Sequence, residues 1–256
     1  RDIKLKGAFG RPIWLDDATV AVAGANDDAL EIVDVNSGNV RRIVIGRGSW
    51  PAAIALAPGG RVAAVAGDGD SKVTLVDLNA ATVTKRFASG ANPSAVAFSA
   101  NGAALYVLSR AESSLRIIQI ADATVRVAAV GRHPAAMAFD PGGRFLFVAA
   151  SDDDELEAVD TQTERIVARR RFSLPFGGEW GTLPDAVTVA GKEVYVTLAG
   201  ANGVARLQFT PPQLSAPATA RTGWYPTDVA VTRDGTLFVA DGMGEGTRPN
   251  PQFNPY

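Results

Sequence analysis

The sequence predicts an all-β chain folded as a β-propeller of four-stranded blades. Three observations carry that prediction. One block of sequence recurs at a nearly fixed interval, its apolar residues fall in groups of four to six rich in Val, Ile, Leu and Phe, and turn-forming stretches such as PGGR, SANG and RDG separate the groups. The blocks open with PAAIALAPGGRVAAVAG at Pro51, PSAVAFSANGAALYVLS at Pro93, PAAMAFDPGGRFLFVAA at Pro134, PDAVTVAGKEVYVTLAG at Pro184 and PTDVAVTRDGTLFVADG at Pro226. Successive openings lie 42, 41, 50 and 42 residues apart, and the insertion RRFSLPFGGEWGTL before Pro184 accounts for the long interval.

Each block supplies the first two strands of a blade. A third follows as ALEIVDV from Ala29, KVTLVDL from Lys72, SLRIIQI from Ser114 and ELEAVDT from Glu155, then a more polar fourth such as VRRIVI from Val40 or VRVAAV from Val125. Four such strands with tight turns fill about 40 residues, the size of one blade. Blades are therefore expected to start near Pro12, Pro51, Pro93, Pro134, Pro184 and Pro226. The first strands are rich in small residues, among them Ala52, Ala53, Ala55, Ala135, Ala136 and Ala138, which suits crowding around a central channel. Asp34, Asp77 and Asp160 close third strands and are expected to accept hydrogen bonds from turn amides. The run Arg169–Arg171 falls in an outer strand, where charge discourages the addition of a further strand.

A single propeller domain over residues 1–256 is expected, with five complete blades and incomplete ends. The leader DIKLKG reads as the fourth strand of a preceding blade, and Pro226–Tyr256 contains the first two strands of a following one. Either these halves close a six-bladed ring or the chain comes from a larger ring. The chain starts at Arg1 rather than Met, as a processed signal sequence or a fragment would.

With 46% hydrophobic and 20% charged residues, 256 residues can bury a large core. A net charge of -2 gives no general attraction to nucleic acid or to an acidic membrane surface. No cysteine is present, which excludes disulfides, thiolate nucleophiles, Cys-ligated zinc and iron–sulfur clusters. No apolar run approaches the roughly 20 residues that span a bilayer.

In a propeller, the loops entering each first strand share a face with the loops between second and third strands, and ligands usually bind at that mouth. The first set supplies the predicted binding residues Arg47, Trp50, Arg132, His133, Glu179, Trp180, Trp224 and Tyr225. An acidic rim from the second set surrounds them: Asp27, Asp28, Asp68, Asp70, Glu112 and Asp152 to Glu155. The tryptophans either stack on a sugar, base or peptide ring or plug the gaps between blades. His133 is the only histidine, so no two-histidine metal motif exists, and no G-x-S-x-G elbow provides a serine for it. No catalytic set and no cofactor is predicted. DDDE at Asp152 and DGD at Asp68 could offer oxygens to Ca²⁺ but lack EF-hand spacing, and read as solvated loops. GMGEGTRPNP lacks the G-K-[ST] ending of a phosphate loop.

The blocks at Pro93 and Pro134 resemble the YVTN or YncE-like bacterial β-propeller repeat family, over essentially the whole chain. GWYPTDVAVTRDGTLFVADGMGEGTRPNP, from Gly223 to Pro251, is similar to a segment of seven-bladed propellers fused to a C-terminal alkaline-phosphatase-like phosphoesterase domain, proteins typically exported by bacteria. The resemblance implies part of a seven-bladed ring in a periplasmic or secreted protein. It implies a non-catalytic ligand-binding or scaffold domain, which takes a small molecule, glycan or peptide at the mouth or docks on the phosphoesterase. Some related propellers hydrolyse sugar lactones with polar groups or a metal at the mouth. A lactonase-like hydrolase is therefore the alternative, and only Arg132, His133 and Glu179 could serve it. The turn AGKEV from Ala190 and Gln119 in place of Asp depart from the family pattern.

Overall fold

A strand that is apolar along nearly its whole length needs cover on both faces, and the second strands of the third and fourth blades are of this kind: all six residues of Phe145–Ala150 are buried, as are all six of Ala104–Ser109. The computed structural model describes residues 2–173 and 181–244. It places these strands at the second position of consecutive antiparallel sheets, in two compact units, Arg1–Ala129 and Val130–Tyr256.

The first unit contains three four-stranded sheets in chain order. They are β1–β4 (Ala8–Trp14, Thr19–Gly24, Ala29–Asp34, Val40–Val44), β5–β8 (Pro51–Leu56, Val62–Gly67, Lys72–Asp77, Thr82–Ala88) and β9–β12 (Pro93–Phe98, Ala104–Ser109, Ser114–Gln119, Val125–Ala129). Faces of neighbouring sheets interlock through Leu30, Ile32, Ile43 and Ile54, and through Leu75, Phe87, Val96 and Leu105. Burial of each such side chain contributes about 1.5–3 kcal/mol.

The second unit repeats the plan with β13–β16 (Pro134–Phe139, Phe145–Ala150, Glu155–Asp160, Arg165–Arg171) and β17–β21 (Pro184–Ala190, Glu193–Leu198, Gly203–Thr210, Gln213–Leu214, Ala218–Arg221). Its last sheet is the pair β22–β23 (Pro226–Val231, Leu237–Asp241). The fourth strand of the fifth blade is split, because β21 pairs with the start of β19 while β20 pairs with its end. β13 packs beside β17, and β17 beside β22.

Two expectations about the N-terminal part need correction. The first blade opens at Ala8, not near Pro12, because the ladder steps from Phe9↔Ala23 to Ile13↔Ala21 and bulges out Gly10, Arg11 and Pro12. Pro12 has no N–H to offer a ladder, and Gly10 takes φ +70 with its α-carbon so close to Ala52 that a Cβ would meet the Ala52 carbonyl oxygen. The leader DIKLKG alternates as a strand does, with Ile3 and Leu5 half-buried between exposed Lys4 and Lys6, yet it joins no ladder. A fourth strand bonds the third strand of its own blade, and among the described residues no strand pairs with the leader.

The turn aspartates behave as read from the sequence. Asp34 Oδ1 accepts the amides of Asn36 and Ser37 at 2.9 and 2.8 Å. Asp77 and Asp160 repeat the device on Asn79 and Ala80 and on Gln162 and Thr163.

Candidate functional site

Every blade from the second onward starts with proline, and the residue before that proline is left-handed. Trp50 has φ 46, Asn92 φ 51, His133 φ 52, Leu183 φ 47 and Tyr225 φ 57. Asparagine and, less readily, histidine adopt this region, and the cost to tryptophan, leucine and tyrosine is about 1–2 kcal/mol each. The conformation persists because the main chain around it is bonded on both sides. The carbonyls of Trp50, Asn92, His133, Leu183 and Tyr225 accept the amides of Asp68, Arg110, Ser151, Ala199 and Gly242, each the first residue after the second strand. The backbone of these loops repeats from blade to blade while the side chain at its tip changes.

A second left-handed position faces four of these five loops from the preceding blade: Asp28, Ser71, Asp154 and Asn202, with φ between 49 and 56. Asp28 accepts hydrogen bonds from the Gly48 and Trp50 amides at 2.6 and 3.0 Å. Asp154 accepts from the Thr182 amide and hydroxyl and the Leu183 amide at 2.5, 2.9 and 3.1 Å. Asn202 Oδ1 accepts from the Tyr225 amide at 3.0 Å. The loops before Pro93 and Pro134 are held instead from their own blade, where Glu112 accepts the Ala91 amide and Asp153 the Arg132 amide.

The Trp50 amide, followed by that of Gly48, holds the Asp28 carboxyl below the usual carboxylate range. The Arg132 amide does the same for Asp153. A carboxyl with a depressed folded value contributes stability that is present above its unfolded value and lost as pH falls through the folded one. Melting temperature is therefore expected to fall as pH drops below the ordinary carboxylate value of about 4, and Asp28→Asn is expected to flatten part of that fall in a series of thermal melts.

The predicted acidic rim is thus corrected in part: Asp28, Glu112, Asp153 and Asp154 are spent on loop amides rather than simply solvated. Of the others, Asp27, Asp70 and Glu155 pair with Arg42, Lys72 and Arg169, Asp68 accepts from Asn92 Nδ2, and Asp152, with half of its side chain exposed, has Oδ2 3.7 Å from His133 Nδ1. Arg132 is tied to Asp153 through Nε at 2.7 Å and to the Asp152 carbonyl at 3.1 Å. Arg47 is exposed and makes no ion pair among the described residues.

Trp50 and Trp224 are 41% and 43% exposed, so neither plugs a gap between blades. They are also not equivalent. Tyr225 occupies the position of Trp50, and Trp224 that of Ser49, one residue earlier. Glu179 and Trp180, also predicted at this face, lie outside the described residues. In the second unit the site comes down to His133, Leu183 and Tyr225 at the same ends of three adjacent strands, with Arg132 and Trp224 beside them. In the first unit it comes down to Trp50 and Asn92, with Arg47. Leu183 was not singled out from the sequence, although its place before Pro184 in the repeat marks it.

One further group was missed. Arg169 does not only guard an edge: its Nε reaches Glu157 Oε1 at 2.9 Å, and Glu157, 1% exposed, also accepts the Gly131 amide at 2.9 Å. Glu157 and Arg169 sit opposite each other on β15 and β16, so the strand register contained this pair.

Residues 79–170 match the family model described as "Lactonase, 7-bladed beta-propeller". No curated protein matches the chain. Among solved structures it is similar to virginiamycin B lyase from Staphylococcus aureus, at 14% identity and TM-score 0.73 over 90% of this chain and 76% of that one. It is similar to hydrazine synthase from Kuenenia stuttgartiensis, at 16% identity and TM-score 0.64 over 94% of each chain. A β-propeller domain from Myceliophteria thermophila aligns at 15% identity and TM-score 0.70 over 86% of this chain and 73% of that one. Likeness at these identities is likeness of fold, and the fold is the β-propeller.

Proposed function

We propose that this propeller is a non-catalytic binding domain whose loop end takes a small molecule, glycan or peptide on the side chains that precede the blade-opening prolines. The observation that carries the reading is the left-handed scaffold: the same local backbone bears Trp50 and Asn92 in the first unit and His133, Leu183 and Tyr225 in the second, and bulky residues persist there at a conformational cost. Exposed tryptophan and tyrosine offer flat faces for ring stacking, and His133 and Asn92 offer hydrogen bonds. A glycan array together with a short-peptide panel tests this. Trp50→Asn suits the left-handed backbone and removes only the ring, so binding is expected to fall about tenfold or more while stability changes by less than about 1 kcal/mol. A large loss of stability with unchanged binding would sink the reading.

The domain belongs, in this proposal, to an exported bacterial protein with a C-terminal phosphoesterase domain. The support is the likeness of the segment Gly223–Pro251, whose described part forms β22 and β23. Reading the gene downstream of Tyr256 decides it: a metal-binding phosphoesterase sequence is expected, and an immediate stop codon would exclude the fusion.

A second reading rests on the family-model match over residues 79–170, which includes Arg132 and His133. His133, oriented by Asp152, would activate water against a sugar lactone carbonyl. Gluconolactone hydrolysis lost in His133→Ala and retained in Trp50→Asn would replace the binding reading with this one.

A further inference from the structure

We infer that the second unit carries another binding site, for a single-ring aromatic carboxylate, at the end of its sheets opposite the pre-proline loops. A cavity of about 140 Å³ lies there between the sheet β13–β16 and the sheet of β17–β19, walled by Phe145, Phe147, Val189, Val194, Phe209 and Pro211. Well-packed interiors leave few voids larger than a water molecule, and an apolar cavity of about 150 Å³ stays dry and accepts benzene. The wall is aromatic and already arranged for edge contacts: the Phe209 ring meets Phe145 and Phe147 edge-on, each at 5.0 Å between centroids. A fourth ring entering this group would gain the same geometry.

The mouth supplies the charge. It is formed by the β13–β14 and β17–β18 turns, which bring Asp140 and Lys192 to the opening. Asp140 is occupied, with Oδ1 accepting the Phe145 amide at 2.6 Å and Oδ2 the Gly142 amide at 3.1 Å. Arg144 is occupied as well, paired with Asp160 at 3.1 Å and lying over the Phe145 ring at 5.2 Å. Lys192 is exposed, and its ammonium makes no hydrogen bond or ion pair among the described residues. An apolar pocket the size of one ring, with an unused cation at its rim, matches a ligand whose ring enters and whose carboxylate stays at the surface.

Benzoate is the probe, with toluene and acetate as controls, titrated into the full chain by calorimetry and by methyl NMR. Benzoate is expected to bind and to shift the Val194 methyl signals, toluene to bind more weakly, and acetate not at all. Lys192→Met is expected to weaken benzoate about tenfold and leave toluene unchanged, because it removes one charge-assisted contact. Val194→Phe fills the cavity and should abolish both, and Val189→Phe at the half-buried rim serves if that variant does not fold. No benzoate binding, toluene binding as tight as benzoate, or binding that survives a filled cavity would each overturn the assignment.

Discussion

Replacing Phe147 with alanine is expected to lower the unfolding free energy by about 4 kcal/mol, the usual cost of emptying a fully buried phenylalanine site. Phe147 is 1% exposed and stands between two sheets, its ring at 89° to that of Phe209. Its loss would remove the apolar contact area and one aromatic pair, and would enlarge the existing 140 Å³ cavity rather than let the wall collapse, since Phe145 and Phe209 already hold the space open. For a chain of this size the loss corresponds to a fall of roughly 8–16 °C in melting temperature. Urea unfolding measures it, with Phe147→Leu as the control expected to cost about a third as much. A cost below about 1.5 kcal/mol would mean that the two sheets close over the gap.

Asp154→Ala is expected to cost about 3 kcal/mol and to loosen a loop of the candidate site. Three donors converge on Asp154 Oδ1, two of them from Thr182, which is 1% exposed and cannot turn to water. Hydrogen bonds to a charged acceptor contribute about 1.5–3 kcal/mol each, less in combination because the bonds share one oxygen. Alanine also fits the left-handed φ of 56 poorly. Asp154→Gly separates the two causes, for it relieves the backbone and still loses the bonds. Asp154→Asn should recover about half of the stability. Hydrogen exchange at the Leu183 amide is the local readout: it should quicken in the alanine and glycine variants and stay near the wild-type rate in Asp154→Asn.

Much of the architecture was legible because it is written in short-range signals. The recurring apolar groups, the PGGR and SANG turns and the third-strand aspartates each act over two to five residues, and each forms where the sequence places it. What failed to show depends on groups that meet across blades. A residue before proline is ordinarily extended, so nothing local announces that Trp50, Leu183 and Tyr225 turn left-handed. The cause is a carboxylate or amide more than 20 residues earlier, as with Asp28 and Trp50. The bulge at Gly10–Pro12 is hidden because in every later blade the opening proline is the first strand residue, whereas here the ladder forms on both sides of the proline. Asp28, Glu112, Asp153 and Asp154 escape the sequence for the same reason: charge in a loop looks solvated until its partner amides are known.

The bonds from Asp28, Asp154 and Asn202 each cross from one blade to the loop that opens the next. In a repeat protein, stability is a sum of terms for single repeats and for nearest-neighbour interfaces. Such a bond belongs to the interface term, so blades joined by one should unfold as a pair. Between the second and third blades Ser71 takes the place of the carboxylate; there the Ser89 amide bonds the Ser71 carbonyl, and the side-chain bond that crosses runs from Asn92 Nδ2 to Asp68 Oδ1 at 3.0 Å. One exposed side-chain bond holds less of its loop than the two backbone amides that Asp28 binds at the first junction, so partial unfolding of the first unit under mild denaturant is expected to begin by releasing β9–β12 from the two blades before it.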